Sequence, residues 1–145
     1  MDENIELIEY VYKNSEMCVH SLTKLLEDLD GLENKIKKLI DREKKEYNNY
    51  MEKAKKIIKE NKYELKENSA IAKMMSTMGI KREVNHDNSD ASIAHMLTEG
   101  ITLGIVDIET KIKNYKDCVD KNIYKLAKEY LEYQQEEIEK LKEFM

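Results

Sequence analysis

Glu43 interrupts an otherwise apolar helical face, Ile36, Leu39, Ile40, Tyr47, Tyr50, Met51, Ala54, Ile57 and Ile58. A carboxylate in that position must find a partner or hold a proton once the face is buried. Gln134 interrupts a second apolar series in the same way, among Ile123, Ala127, Tyr130, Ile138, Leu141 and Met145. Glu43 and Gln134 together predict a structural polar layer, in which Gln134 or the hydroxyl of Tyr47 or Tyr130 relieves the carboxylate by a hydrogen bond. The competing chemistry is metal ligation, with Glu16, Glu43, Glu46, His95 and Glu99 as the available donors and iron, manganese or zinc as the ion. His95 and Glu99 stand i,i+4, as do Glu16 and His20, a spacing that makes hydrogen-bonded surface pairs before it makes metal sites. The three histidines, His20, His86 and His95, share no motif. Cys18 and Cys118 lie far apart with no second cysteine near either, so neither a disulfide framework nor a zinc knuckle is indicated. Glycine-rich phosphate loops are absent. The chain is therefore expected to be non-enzymatic, with no catalytic residue and no cofactor.

Helices must position these groups. With no proline, four glycines and a charged fraction dominated by Lys and Glu, the composition suits an all-α bundle and no sheet. Residues 1–145 form one domain, with helices predicted at about 3–29, 32–61, 69–78, 89–115 and 119–144. In the first, Ile5, Ile8, Tyr12, Ser15, Val19, Leu22, Leu26 and Leu29 form one seam; Glu16 borders it and His20 points outward. Asp30-Gly31 supplies the stop and a tight reversal. Residues 62–88 break the periodic pattern for longer than a turn requires and make a crossover. Within it Ser69 caps a short helix ending at Gly79, whose Ile71, Met74, Met75 and Met78 recur at i, i+3, i+4 and i+7. This soft face either closes the bundle or binds a partner.

The helix at 89–115 is expected at the centre, wrapped by the others. In a chain that is 38% charged, Leu97–Ile108 carries only Glu99 and Asp107. Gly100 and Gly104 each cost a helix about 1 kcal/mol relative to alanine, which predicts a notch where a large neighbour such as Tyr47 or Tyr130 packs closely. Leu103 and Val106 lie away from that seam and predict cover by the crossover or by a second subunit, a dimer being the commonest closed solution.

No apolar run approaches the ~20 residues that span a bilayer, and the N-terminus is acidic, so a soluble, cytoplasmic protein without a membrane partner is expected. The net charge is −5, and residues 31–62 hold eleven bases against six acids. Within it the basic stripe Lys53, Lys55, Lys56, Lys59 and Lys62 lacks interleaved aromatics or a nucleic-acid-reading motif, so the stretch reads as charge complementarity with the acidic first helix, and no nucleic acid is expected.

Two helical hairpins joined by one long crossover resemble the ferritin-like four-helix bundles, over nearly the whole chain and on topology. Di-iron members of that superfamily place a Glu on helices one and three and a Glu-x-x-His on helices two and four. The nearest matches are Glu16, Glu43-Lys44-Lys45-Glu46, Glu99 and Glu129-Tyr130-Leu131-Glu132. Glutamate fills both histidine places, and four carboxylates without an imidazole carry excess negative charge. The resemblance thus implies a small bacterial branch lacking the standard di-iron ligand set, acting by self-association or partner binding, with a metal-binding or redox carboxylate bundle as the alternative.

Overall fold

The computed structural model describes residues 2–145 and contains, among them, five α-helices and no strands. They are α1 (Glu3–Asp28), α2 (Lys37–Glu60), α3 (Ala70–His86), α4 (Asp90–Tyr115) and α5 (Lys121–Leu141), followed by a single 3₁₀ turn, Lys142–Phe144. The starts of α1, α3 and α4 are set by side chains. Asp2, Ser69 and Ser89 each accept a hydrogen bond from a backbone N–H of the first turn, at 2.7, 3.1 and 3.2 Å. Gly31 takes a left-handed φ of 79° just past α1, where a side chain would be strained. The connection after it runs longer than Asp30-Gly31 alone suggests, and α2 begins at Lys37 instead of residue 32.

Side-chain ties give the helix directions. Tyr115 Oη donates to Glu6 Oε2 at 2.7 Å and Tyr10 Oη donates to the Gly104 carbonyl at 3.0 Å, so α4 runs antiparallel to α1. The Asp120 N–H donates to Asn4 Oδ1 at 2.7 Å and Gln134 Nε2 donates to Asn14 Oδ1 at 3.3 Å, so α5 runs parallel to α1. The chain between α2 and α4 returns along α1. Asn68 Nδ2 donates to the Lys13 carbonyl, Lys73 pairs with Glu16 at 3.1 Å, and Ser76 shares a hydrogen bond with Ser21 at 2.7 Å.

The centre is α1, not α4. It touches all four other helices, and only Glu27 among its residues is exposed. Leu7, Ile8, Val11, Leu22 and Leu25 of α1 join Leu39, Ile40, Tyr47, Ala54 and Ile58 of α2 in one apolar core. By contrast α4 buries a single stripe, Ile93, Ala94, Ile101, Gly104, Ile105, Ile108 and Ile112, and leaves Leu103 72% and Val106 56% exposed. The crossover does not cover them. By length and composition α4 also qualifies as a membrane-crossing helix, which differs from the sequence expectation; in this fold a third of its apolar window lies inside the bundle.

The crossover helix α3 is longer than expected, because Gly79 sits inside it rather than capping it. Its orientation is the main surprise. The side facing α1 carries Lys73, Ser76 and Thr77, with Ile80 and Val84 near its end, whereas Ile71, Met74, Met75 and Met78 point to solvent, each more than half exposed.

Candidate functional site: a mid-bundle polar layer and the cavity beneath α3

Halfway along the bundle, α1, α2 and α5 bring polar groups into the core. Asn14 Oδ1 accepts from Tyr130 Oη and from Gln134 Nε2, and the same Gln134 nitrogen donates to Tyr47 Oη at 3.5 Å. Four tyrosines of α2 and α5 pack around this network. Tyr47 meets Tyr130 and Tyr133 edge to face at centroid distances of 5.9 and 5.3 Å, and Tyr50 meets the same two rings at 5.2 and 5.4 Å. Burial pushes the Tyr47 and Tyr130 hydroxyls well above their ordinary range, so both stay protonated donors.

Glu43 stands one turn away on α2 and is only 1% exposed. Neither of its oxygens has a hydrogen-bond partner. The expected relief by Gln134 or a tyrosine does not occur: Gln134 spends its amide on Asn14 and Tyr47. What faces Glu43 is a second carboxyl, Glu137 of α5, itself buried and held on one oxygen by Lys140 at 3.2 Å. Desolvation first, and then the neighbouring Glu137, push the Glu43 carboxyl up to about 10, so it carries its proton at neutral pH. Two apposed carboxyls cannot both ionise in a dry site, and a proton held on one of them is the ordinary resolution.

A cavity of about 480 Å³ opens between this layer and α3. Glu43, Tyr47 and Gln134 form its inner wall, Gly100 and Ile101 of α4 one side, and Ser76, Ile80 and Glu83 of α3 its cover. The glycine notch is therefore two different features. A Cβ at Gly104 would meet Asn14 Nδ2 at 3.3 Å and Gln134 Nε2 at 3.6 Å, so the close neighbours are polar groups of the layer and not Tyr47 or Tyr130. A Cβ at Gly100 would meet nothing within 4 Å; that glycine faces the cavity.

No protein-family model, curated protein or solved structure matches this chain. Its site must be understood from its own residues. The five donors considered for a metal are not brought together. Glu16 accepts from Asn68 at 3.0 Å and pairs with Lys73; burial alone would raise its carboxyl, but the Asn68 hydrogen bond and Lys73 together hold it below the usual range. Glu46, His95 and Glu99 are exposed on the outer faces of α2 and α4. Among the described residues no three His, Cys, Asp or Glu side chains converge as a metal-holding group. His20 also departs from expectation: it shares a hydrogen bond with Thr77 of α3 at 3.2 Å rather than facing solvent beside Glu16.

Three members of the site lay outside the sequence reading. The apolar series of α5 places Ile138 inward, yet Glu137 beside it is the buried one of the two and Ile138 only half so. Asn14 sits one step off the apolar seam of α1. Cys18 borders the apolar seam of α1; it lines the cavity and points its thiol at Asn14, and burial pushes that thiol up to about 12.

Proposed function

We propose that this chain is a non-enzymatic, ferritin-like helical bundle that works by associating with a second copy of itself through the outer face of α3. The ferritin-like label is supported by the connectivity: two antiparallel hairpins, α1–α2 and α4–α5, joined by a chain that travels back along the bundle. The observation that carries the functional reading is the orientation of α3, which turns hydroxyls and a lysine toward its own bundle and four large apolar side chains toward solvent. Four exposed residues at helical spacing on a charged surface are the pattern of an interface.

A second copy fits this stripe better than an unrelated partner because the stripe is symmetric about its own midpoint. In an antiparallel two-fold crossing Ile71 meets Met78 and Met74 meets Met75. Methionine suits such a surface, since its flexible side chain adapts to a neighbour of its own kind. Sedimentation velocity in the micromolar range tests the reading. A dimer that becomes monomeric in the Met74→Lys, Met75→Lys double variant, with helix content unchanged, is the expected result. A parent chain that sediments as a monomer throughout would overturn it.

A further inference from the structure

The cavity beneath α3 has the size and the lining of a ligand site, and its polar groups are of one kind. Its volume of about 480 Å³ falls in the range that encloses small organic ligands. Most of the wall is apolar, from Met17, Leu22, Ile80, Met96, Leu97 and Ile101. The polar atoms left over are acceptors: Oε1 of Gln134 is buried without a hydrogen-bond donor, and so is the oxygen of Glu43 that does not face Glu137. Two acids, Glu43 and Glu83, line the cavity, and no lysine, arginine or histidine does. A buried acceptor left unpaired is costly, and a bound group bearing N–H donors and positive charge would remove that cost for several atoms at once. Sulfur and aromatic groups, here Met17, Met96 and Tyr47, are also favourable neighbours for a cation.

We propose that this cavity binds an apolar organic ammonium ion, with the charged head between Glu43 and Gln134 and the hydrocarbon body among the methionines, leucines and isoleucines of α1, α3 and α4. This site is separate from the outer face of α3 and does not depend on dimerisation. In the empty cavity the Glu43 carboxyl holds a proton against Glu137. Rotation of the Glu43 side chain from Glu137 toward the cavity lets it give that proton to solvent and meet the ammonium N–H groups as a carboxylate. One cation enters and one proton leaves, so charge balances. The groups facing Glu43 from each side are Glu137, Lys140 and Tyr133 on α5, Cys18 on α1, and Arg42 and Tyr47 on its own helix, with Glu83 of α3 across the cavity. Among these only Lys140 and Arg42 carry positive charge, and neither lines the cavity.

Isothermal titration calorimetry with octylamine, octanol and octanoate as probes tests this on the full chain. Octylamine is expected to bind with release of about one proton per site, read from the dependence of the heat on buffer ionisation enthalpy. Its affinity should rise about tenfold per pH unit between roughly pH 6 and 9, because the bound state holds one proton fewer. Octanol and octanoate should bind at least tenfold more weakly. Glu43→Gln should keep its helix content, lose at least tenfold in octylamine affinity and lose the proton release. Gly100→Leu provides an independent check, since it places a side chain in open cavity space without touching Glu43, and it should block octylamine with no loss of melting temperature. The proposal fails if octylamine does not bind the parent, if octanol binds as well, if binding releases no proton, or if either variant, folded, binds like the parent.

Discussion

The central helix α1 meets its neighbours α2 and α3 in opposite ways. Against α2 it presents Leu7, Ile8, Val11, Leu22 and Leu25, all essentially inaccessible to water, and α2 answers with Leu39, Ile40, Ala54 and Ile58. Against α3 it presents Glu16, His20 and Ser21, answered by Lys73, Thr77 and Ser76. Each fully buried aliphatic side chain contributes about 1.5–3 kcal/mol, whereas a partly exposed ion pair or hydroxyl pair contributes about 1 kcal/mol or less. The hairpin is thus the foundation of the molecule, and α3 is a cover held along α1 by weak polar contacts, with only Ile80 and Val84 near its end joining the core and the stripe Ile71, Met74, Met75 and Met78 unused. A helix can lie along a bundle without belonging to its core.

That contrast is open to direct challenge, beginning with the apolar seam. Leu25→Ala removes a fully buried side chain of α1 and should lower the unfolding free energy by about 2–5 kcal/mol, measured by chemical denaturation. A loss below about 1 kcal/mol would mean that the α1–α2 seam does not carry the fold.

The polar layer between the two surfaces has a smaller effect with a definite pH signature. Glu43 titrates near 10 in the folded chain against an ordinary value of 4.5, so the folded state holds a proton that the unfolded state releases. The folded-state pKa is raised; the stability linked to that proton is full below about 4.5 and is lost progressively as pH rises toward about 10. Glu43→Gln cannot ionise and escapes this loss. Its unfolding free energy should match the parent's near pH 4.5 and exceed it increasingly toward alkaline pH, by at most about 1.4 kcal/mol per pH unit. A difference that does not change with pH would show that Glu43 is not the group responsible.

At the polar contact of α3 the expected effects are smallest. Lys73→Ala and Ser76→Ala should each change global stability by no more than about 1 kcal/mol. Hydrogen exchange should instead show faster opening of α3 amides with α1 unaltered. If either variant costs as much as Leu25→Ala, the two surfaces of α1 are not different in kind.

Much of the fold was legible because the apolar residues recur at helical spacing and Ser69, Ser89 and Gly31 mark boundaries by their own chemistry. The placement of the centre was not. Apolar content singled out α4, but Leu103 and Val106 lie on the side away from its buried stripe, whereas α1 lines its whole circumference with residues that tolerate partial burial, such as Tyr10, Asn14, Met17 and Thr23. For the site, Glu43 and Gln134 stood out because each breaks an apolar series. Glu137 and Asn14 left no such mark, since a polar residue next to a seam looks identical whether it turns inward or outward; only the packing of the neighbouring helix decides it. The direction faced by α3 was equally hidden, because an amphipathic pattern states which residues share a face and not which way that face is turned.

The parallel course of α1 and α5 has a practical consequence. Asn4 lies beside Asp120 at one pole, and from there α5 advances 21 residues toward the other, a rise of roughly 30 Å. Asp2 and Met145 are therefore at opposite poles of a stiff strut. Domains fused to them would be held a bundle's length apart at a fixed separation, and joining the ends in a circular permutant would require a linker of roughly nine or more extended residues.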